Sequence, residues 1–282
     1  MYKRRNFFIM NNRYNKPVAI VVGGSSGIGF YTLQGLIKQD YVVYNLSRTG
    51  ADLCKFCDRD FSNICCDVAV RGNIEQSIED IYEMHGRIDV LVYSAGASLS
   101  APLEHVSESD FRRIFEVNYF GFIKALWEVL PVMRKQNSGR IVVLSSLAGS
   151  FGVPFDAPYS ASKAALELTV KSLAQELKPF NISVTAVAPG GVSTAFTFKR
   201  KIYGETECGE YWQAADKACT KLANIEQGGL DPAIVAEKVL DVIASKNPPT
   251  NVTVGIGNKA LRVVNKVLPG FLTDRINGAF YK

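Results

Sequence analysis

From residue 18 onward, strand-length apolar runs alternate with helix-length amphipathic stretches. Val18 to Val22 is continuously apolar and ends at glycines, the pattern of a parallel strand buried on both faces. A helix follows from Ile28 to about Gln39. Val42 to Leu46 predicts a second strand and Ile64 to Cys66 a short third. Ile74, Ile78 and Ile81 recur at helical spacing and mark the buried face of the next helix. Val90 to Tyr93 predicts a fourth strand. Ser107 and Asp110 stand in capping-box relation at the head of a long helix through Trp127. Ile141 to Leu144 predicts a fifth strand, a helix runs from about Tyr159 to Leu177, and Ser183 to Val187 predicts a sixth strand. Asp231-Pro232 sets an N-cap before a proline at the first helical position. That helix runs to about Ile243, and Val252 to Val254 ends the series. Strands and helices alternating in this way predict one α/β domain, a single doubly wound parallel sheet of about seven strands with helices on both faces.

The 282 residues suit one large α/β domain, and 47% hydrophobic residues suffice for its core. The net charge of +5 is scattered. Its two clusters, Lys3-Arg4-Arg5 and Lys199-Arg200-Lys201, lack interleaved aromatics, so no nucleic-acid partner is expected. No apolar run reaches the roughly 18 residues of a bilayer-spanning helix, and Phe7 to Met10 is too short for a signal-peptide core. Cys54-x-x-Cys57 and Cys65-Cys66 raise a metal question. Adjacent cysteines on a strand point to opposite faces, so no metal site is expected. Reduced thiols in a cytoplasmic protein are the simpler expectation.

Gly23, Gly27 and Gly29 fall between the first strand and the first helix, in Gly23-Gly24-Ser25-Ser26-Gly27-Ile28-Gly29. Glycine lets the backbone turn tightly beside a pyrophosphate, and the helix offers it unpaired N–H groups and a positive dipole end. An NAD site places a carboxylate at the end of the second strand. Here that strand runs into Ser47-Arg48 with no acid. A guanidinium pairs with a 2′-phosphate that a carboxylate would repel. NADP(H) is therefore the expected cofactor, with Arg48 as phosphate ligand and Ser47 assisting. Asp67 and Val68, after the third strand, are placed to bracket the adenine.

Tyr159 and Lys163 are four apart on a predicted helix and share a face. A free tyrosine titrates near 10. Lowering it by about three units takes roughly 4 kcal/mol, which a nearby ammonium and an oxidised nicotinamide are expected to supply. The phenol then serves as general acid or base near neutral pH. Ser146 follows the fifth strand at the carboxyl edge, where such folds bind ligands, and its hydroxyl suits a substrate oxygen. Ser145 competes for that place.

Together these residues resemble those of the short-chain dehydrogenase/reductase family over roughly residues 16 to 255. The resemblance rests on the glycine turn, Asp67-Val68, Ser94-Ala95-Gly96, Asn118, Ser146, Tyr159, Lys163 and Pro189-Gly190-x-x-x-Thr194. The step from Ser146 to Tyr159 matches the family's usual spacing and selects Ser146 over Ser145. The resemblance implies Tyr159 as the acid/base, Lys163 on the nicotinamide ribose, and Asn118 holding a water of a proton relay. It also implies cofactor contacts from Gly23, Ser25, Ser26, Gly27, Ile28, Gly29, Ser94, Ala95 and Gly96, and from Pro189, Gly190, Val192 and Thr194 near the carboxamide. A homodimer or homotetramer built by the helices at about 107–134 and 159–178 is implied as well. The family often has threonine where Val22 stands and asparagine where Ser94 stands, which puts the support of the turn in question rather than the chemistry.

These readings divide the chain into a flexible basic arm at 1–15, an NADP(H)-binding catalytic domain at 16–257 with a substrate lid at about 195–230, and an amphipathic extension at 258–282. The lid carries Phe196, Phe198, Tyr203, Tyr211 and Trp212, suited equally to a bulky apolar substrate or to packing the lid down. The extension interleaves Leu261, Val264, Val267 and Leu268 with Lys259, Arg262 and Lys266, so it packs as a helix or meets the lid, a partner subunit or a membrane surface. The Pro154-Phe155 segment and the tail resemble those of hydroxysteroid dehydrogenases. The expected reaction is hydride transfer between NADP(H) and a secondary alcohol or ketone on a steroid or similar lipophilic molecule. The alternatives are a reductase of 3-oxoacyl thioesters or small carbonyls, and a non-catalytic NADP(H) sensor.

Overall fold

The structure is a computed structural model and describes residues 16–52, 60–273 and 275. The elements run β1 (Val18–Val22), α1 (Gly27–Lys38), β2 (Val42–Ser47), β3 (Phe61–Cys65), α2 (Asn73–His85), β4 (Val90–Tyr93), β5 (Leu99–Ser100), α3 (Glu108–Phe115) and α4 (Gly121–Gln136). There follow β6 (Gly139–Leu144), α5 (Ala157–Glu176), β7 (Ile182–Pro189), β8 (Lys201–Ile202), α6 (Glu205–Cys208), α7 (Trp212–Gln227), α8 (Pro232–Ala244), β9 (Asn251–Val254) and α9 (Ile256–Val267). Seven strands form one sheet in the order β3-β2-β1-β4-β6-β7-β9. Every neighbouring pair in it is parallel.

Strand alternation splits the core in two. Val18, Ile20 and Val22 face one side, with Ile74, Ile78 and Ile81 of α2, Phe122 and Val129 of α4, and Leu166 and Val170 of α5. Ala19 and Val21 face the other, with Leu33 and Leu36 of α1 and Val235, Val239 and Val242 of α8. The helices on both faces are what a buried parallel sheet requires. The strand order reverses direction between β1 and β4, and the crevice over their carboxyl ends is where such sheets hold ligands.

Capping follows the sequence. Ser107 Oγ accepts from the Asp110 N–H at 3.1 Å, and Asp231 Oδ1 from Ala233 N–H at 2.7 Å. The long helix expected through Trp127 is interrupted by a π-helical turn at Glu116–Phe120. The third strand begins earlier than expected, at Phe61, because it lies at the sheet edge, where polar Ser62 and Asn63 are tolerated. The two-residue strands β5 and β8 are too short to leave a periodicity, and they pair with each other in parallel apart from the main sheet. The expected arm at 1–15, the pair Cys54 and Cys57, and the last residues of the expected extension lie outside the described residues. Cys65 is exposed and Cys66 buried.

Candidate active site

The turn after β1 is held by close backbone approach. Gly23 has φ +84°, and a Cβ there would meet Ala95 N at 2.5 Å. A Cβ on Gly29 would meet Gly23 O at 2.4 Å, which brings the first turn of α1 onto the glycine loop. Asn45, buried in β2, accepts from Gly24 N–H at 3.0 Å and donates to Ser47 Oγ and to Asn63 Oδ1. Asn45 is not among the site residues expected from the sequence. Its signal was a single amide inside an otherwise apolar strand.

The turn opens onto a cavity of about 540 Å³. Gly23, Ser25, Ser26, Gly27, Ile28, Ser47, Arg48, Asp67, Val68, Ser94, Ala95 and Gly96 all line it, as do Ser146, Tyr159, Lys163, Pro189, Gly190, Val192 and Thr194. Of the expected site residues only Gly29 and Asn118 do not line it. Whether the cavity fits a dinucleotide can be tested on its phosphate end. Ser26 stands at the N-cap of α1 but its side chain does not cap, and the first turn carries no acid. The free N–H groups and dipole of the helix therefore face a wall of glycine and serine, which fits a pyrophosphate. At the end of β2 the cavity meets Ser47, Arg48 and Thr49. The Ser47 hydroxyl already donates to Thr49 O, whereas the Arg48 side chain is exposed at the cavity's edge.

At the other end, α5 aims Tyr159 and Lys163 at the carboxyl edge of β6. Lys163 Nζ donates to Leu144 O at 2.7 Å and lies 5.6 Å from the centre of the Tyr159 ring. Ser146 Oγ accepts from Ala148 N–H at 3.2 Å, and the hydroxyl stands near enough to the Tyr159 phenol to pull its pKa down. The Ser145 hydroxyl is committed to Glu167 at 3.0 Å, which leaves the substrate side to Ser146. The expected lowering of the Tyr159 pKa is not produced by the chain's own groups. Burial raises it well above 10, the Asp156 and Glu226 carboxylates raise it further, and only the nearby Ser146 hydroxyl and Arg200 oppose them. Burial also pushes Lys163 down to about 8.

Asn118 is fully buried in the π turn. Its Oδ1 accepts from Ala97 N–H at 2.7 Å, and its two amide protons go to Ala97 O and Ser162 Oγ. Both amide protons are thus committed, so a relay water at Asn118 would be held by an oxygen of the residue. What the side chain does is tie the loop after β4 to the helix that carries Tyr159 and Lys163.

The lid aromatics divide. Phe196 lines the cavity with its ring 5.9 Å from that of Tyr159. Tyr203 is buried and donates to Asp110, and Trp212 packs on the satellite core under the lid. Phe198 is exposed and Tyr211 lies edge-on to His105. Packing thus accounts for more of these rings than substrate contact does. The apolar wall comes mainly from Leu147, Phe151, Val153, Leu222 and Ile225.

One feature of the cavity left no sequence signal. Asp156, 2% exposed, stands at the N-cap of α5 but turns its carboxylate away to accept from Ser98 Oγ at 3.1 Å. Ser98 in turn accepts from Arg200 Nε, and Arg200 pairs with Glu226 of α7 at 2.5 Å. Asp156 and Glu226 both line the cavity. Two carboxylates thus share one guanidinium. Burial pushes the Asp156 carboxyl up to about 7, against the opposing pull of Arg200 and Ser98.

A parallel sheet with this crevice, a glycine turn and a Ser-Tyr-Lys group at its two ends define a nucleotide-dependent oxidoreductase. The chain belongs to the short-chain dehydrogenase family, whose model, described as short chain dehydrogenase, matches residues 17–202. It is an oxidoreductase of alcohol and keto groups. It is 34% identical over 241 residues to a 3-ketodihydrosphingosine reductase of Bacteroides thetaiotaomicron, covering 84% of this chain and 87% of that protein. It is 28% identical over 277 residues to an NADPH-dependent 3-dehydrocapnine reductase of Ornithobacterium rhinotracheale, covering 94% and 96%. A solved structure of ElxO with NADP bound is 26% identical and superposes with a TM-score of 0.72, covering 87% of this chain and 99% of that one.

Proposed function

We propose that this chain is an NADP(H)-dependent reductase of a ketone on a long-chain lipid that carries an amine close to the carbonyl. The observation that carries the reading is the placing of Asp156. A buried carboxylate lines the same cavity as the Tyr159 phenol and Ser146, beside an apolar wall. A buried anion sharing its counter-ion with a second carboxylate is completed by a cationic group on the substrate. The two ketones named for the relatives, 3-ketodihydrosphingosine and 3-dehydrocapnine, support the same class. The steroid expectation, drawn from the likeness of the Pro154-Phe155 segment and the tail and from the aromatic lid, ranks behind this reading, because most of the lid's rings pack the lid to the body.

The cavity would hold NADPH, which when bound would supply the hydride for the carbonyl carbon. Tyr159 gives its phenolic proton to the carbonyl oxygen while Ser146 holds that oxygen as charge develops on it. Burial keeps the phenol protonated in the free protein, so its proton is in place to be given. Lys163, which burial pushes down to about 8, would exchange a proton near neutral pH and hold the nicotinamide ribose. Arg48 would pair with the 2′-phosphate of the bound cofactor. A homodimer through α4 and α5 belongs to this reading, since Trp127 and Leu168 are exposed on those helices.

NADPH oxidation with a panel of ketones tests it. The panel is 3-ketodihydrosphingosine, its N-acetyl derivative, a 3-oxosteroid and an acetoacetyl thioester. The free amine should be turned over with kcat/KM at least about tenfold above its N-acetyl form, the worth of one charge-assisted hydrogen bond. Preference for the steroid or the thioester would overturn the substrate assignment.

A further inference from the structure

The outward face of α9 is apolar, and none of the described residues covers it. Ile256, Ala260, Val263 and Val267 follow one another at steps of four, three and four, which places them on a single stripe. Ile256 is 88% exposed, Val263 59% and Val267 74%. Phe271 and Leu268 are exposed just beyond the helix. The opposite face is fastened to the body. Asn258 donates to Val254 O at 2.7 Å, and Arg262 bonds Thr253 Oγ1 and pairs with Glu167. The helix is therefore held in place with its apolar side outward, which is not the simple packing helix allowed by the sequence.

Charge and position say what this face meets. Lys259 and Lys266 are exposed and flank the stripe. From Ile256 to Thr273 the sequence holds three basic residues and no acid. Asn258 and Leu261 of the same helix line the cavity, so the stripe and the cavity belong to opposite sides of one element. The lid segment that borders the cavity through Lys199 also exposes Phe198 and Ile202. An apolar stripe flanked by lysines suits the interface of an anionic bilayer, where rings and aliphatic chains enter the acyl boundary and ammonium groups meet the headgroups.

We infer that α9 docks the protein on an anionic lipid surface, with its cavity beside the bilayer from which a lipid ketone is drawn. The inference rests on the lipid-ketone reading for the purpose of the docking, but its test does not need turnover. The full chain is sedimented with vesicles of phosphatidylcholine, with and without phosphatidylglycerol. It should bind the anionic vesicles, and added salt should weaken that binding. The double variant Val263→Glu, Val267→Glu should lower partitioning at least about tenfold, because charge in the acyl boundary is costly. Its kcat/KM on a short, water-soluble ketone should be unchanged, which also shows that it folds. Lys259→Glu with Lys266→Glu should abolish the preference for anionic vesicles. Failure of the wild-type chain to bind either vesicle would overturn the inference. So would a Val263→Glu, Val267→Glu protein whose oligomer falls to a smaller species while vesicle binding is unaltered, since the stripe would then be a subunit interface. Vesicle binding without turnover of any panel ketone would sink the substrate reading and leave the docking intact.

Discussion

The nucleotide end and the substrate end of the cavity are built by different means. At the nucleotide end the backbone itself is the ligand-facing surface. Gly23 and Gly29 are fixed by atoms of the main chain, and the N-terminus of α1 carries no side-chain cap and no acid. At the substrate end the surface is made of side chains brought from far apart in sequence. Ser98, Asp156, Arg200 and Glu226 are joined by hydrogen bonds and one ion pair that span as many as 102 positions. The first kind of site depends on where a chain turns. The second depends on which loops meet, and so it can change its ligand without disturbing the sheet.

The sharpest way to break this division is at Tyr159, the group both ends must serve. Tyr159→Phe removes the phenolic proton but keeps the ring against Phe196. Turnover should fall by about 10³-fold, within the range for a lost general acid. NADPH affinity, read by quenching of the cofactor's fluorescence, should stay within about twofold. Substantial residual turnover would remove Tyr159 from its role.

Arg48→Asp tests the nucleotide end alone. An exposed guanidinium is exchanged for a carboxylate that repels the 2′-phosphate and accepts from ribose hydroxyls. The ratio of kcat/KM for NADPH over NADH should fall about 100-fold, the worth of one or two charge-assisted hydrogen bonds. An unchanged ratio would mean that another group reads the phosphate. KM for the ketone should not move.

Asp156→Asn tests the substrate end. In the free protein this carboxyl titrates at about 7, well above the 3.8 of an ordinary aspartate. The anion proposed to bind an ammonium is therefore present above pH 7, and kcat/KM for the amino ketone should rise about tenfold through that pH. The limb should vanish in Asp156→Asn, while a second limb near 8, from Lys163, remains. Stability carries the opposite sign. Between pH 4 and 7 the native chain keeps a proton that the unfolded chain has shed, so stability falls as pH rises and is lowest above 7. The shift sets an upper bound of about 4 kcal/mol on that loss. Asp156→Asn should therefore melt at a higher temperature than the wild-type chain above pH 7, by thermal unfolding followed across pH.

The contrast also explains what could be read from the sequence. The sheet was legible because each buried strand is a continuous apolar run, as Val18 to Val22 shows. The glycine turn and the Tyr159-Lys163 pair were legible because their spacing is local. The Asp156 network was not, because Asp156, Arg200 and Ser98 are unremarkable in their own surroundings and become a site only when the lid strand β8 pairs with β5. The π turn at Asn118 was hidden for a related reason. Its cause is the fit of one amide between Ala97 and Ser162, and the helical pattern on either side continues undisturbed.

Asn45 is the exception that sharpens the rule, being a long-range side chain at the end otherwise built from backbone. The sequence suggested that Val22, where a threonine is common, leaves the glycine turn short of a tie. The tie comes instead from β2, where the Asn45 amide reaches Gly24 N–H. Val22 belongs to the core on one face of the sheet, and Asn45 pairs in register with Val21, whose side chain faces the other. The two positions are therefore not interchangeable. Asn45→Ala should leave the Gly24 N–H unpaired and destabilise the chain by about 2 kcal/mol, measured by denaturant unfolding. NADPH binding should weaken several-fold while selectivity over NADH is kept, because Arg48 is untouched. Adding Val22→Thr should not restore either property. If it did, the turn would be governed from the β1 side after all, and the support of the nucleotide end would owe nothing to the strand beside it.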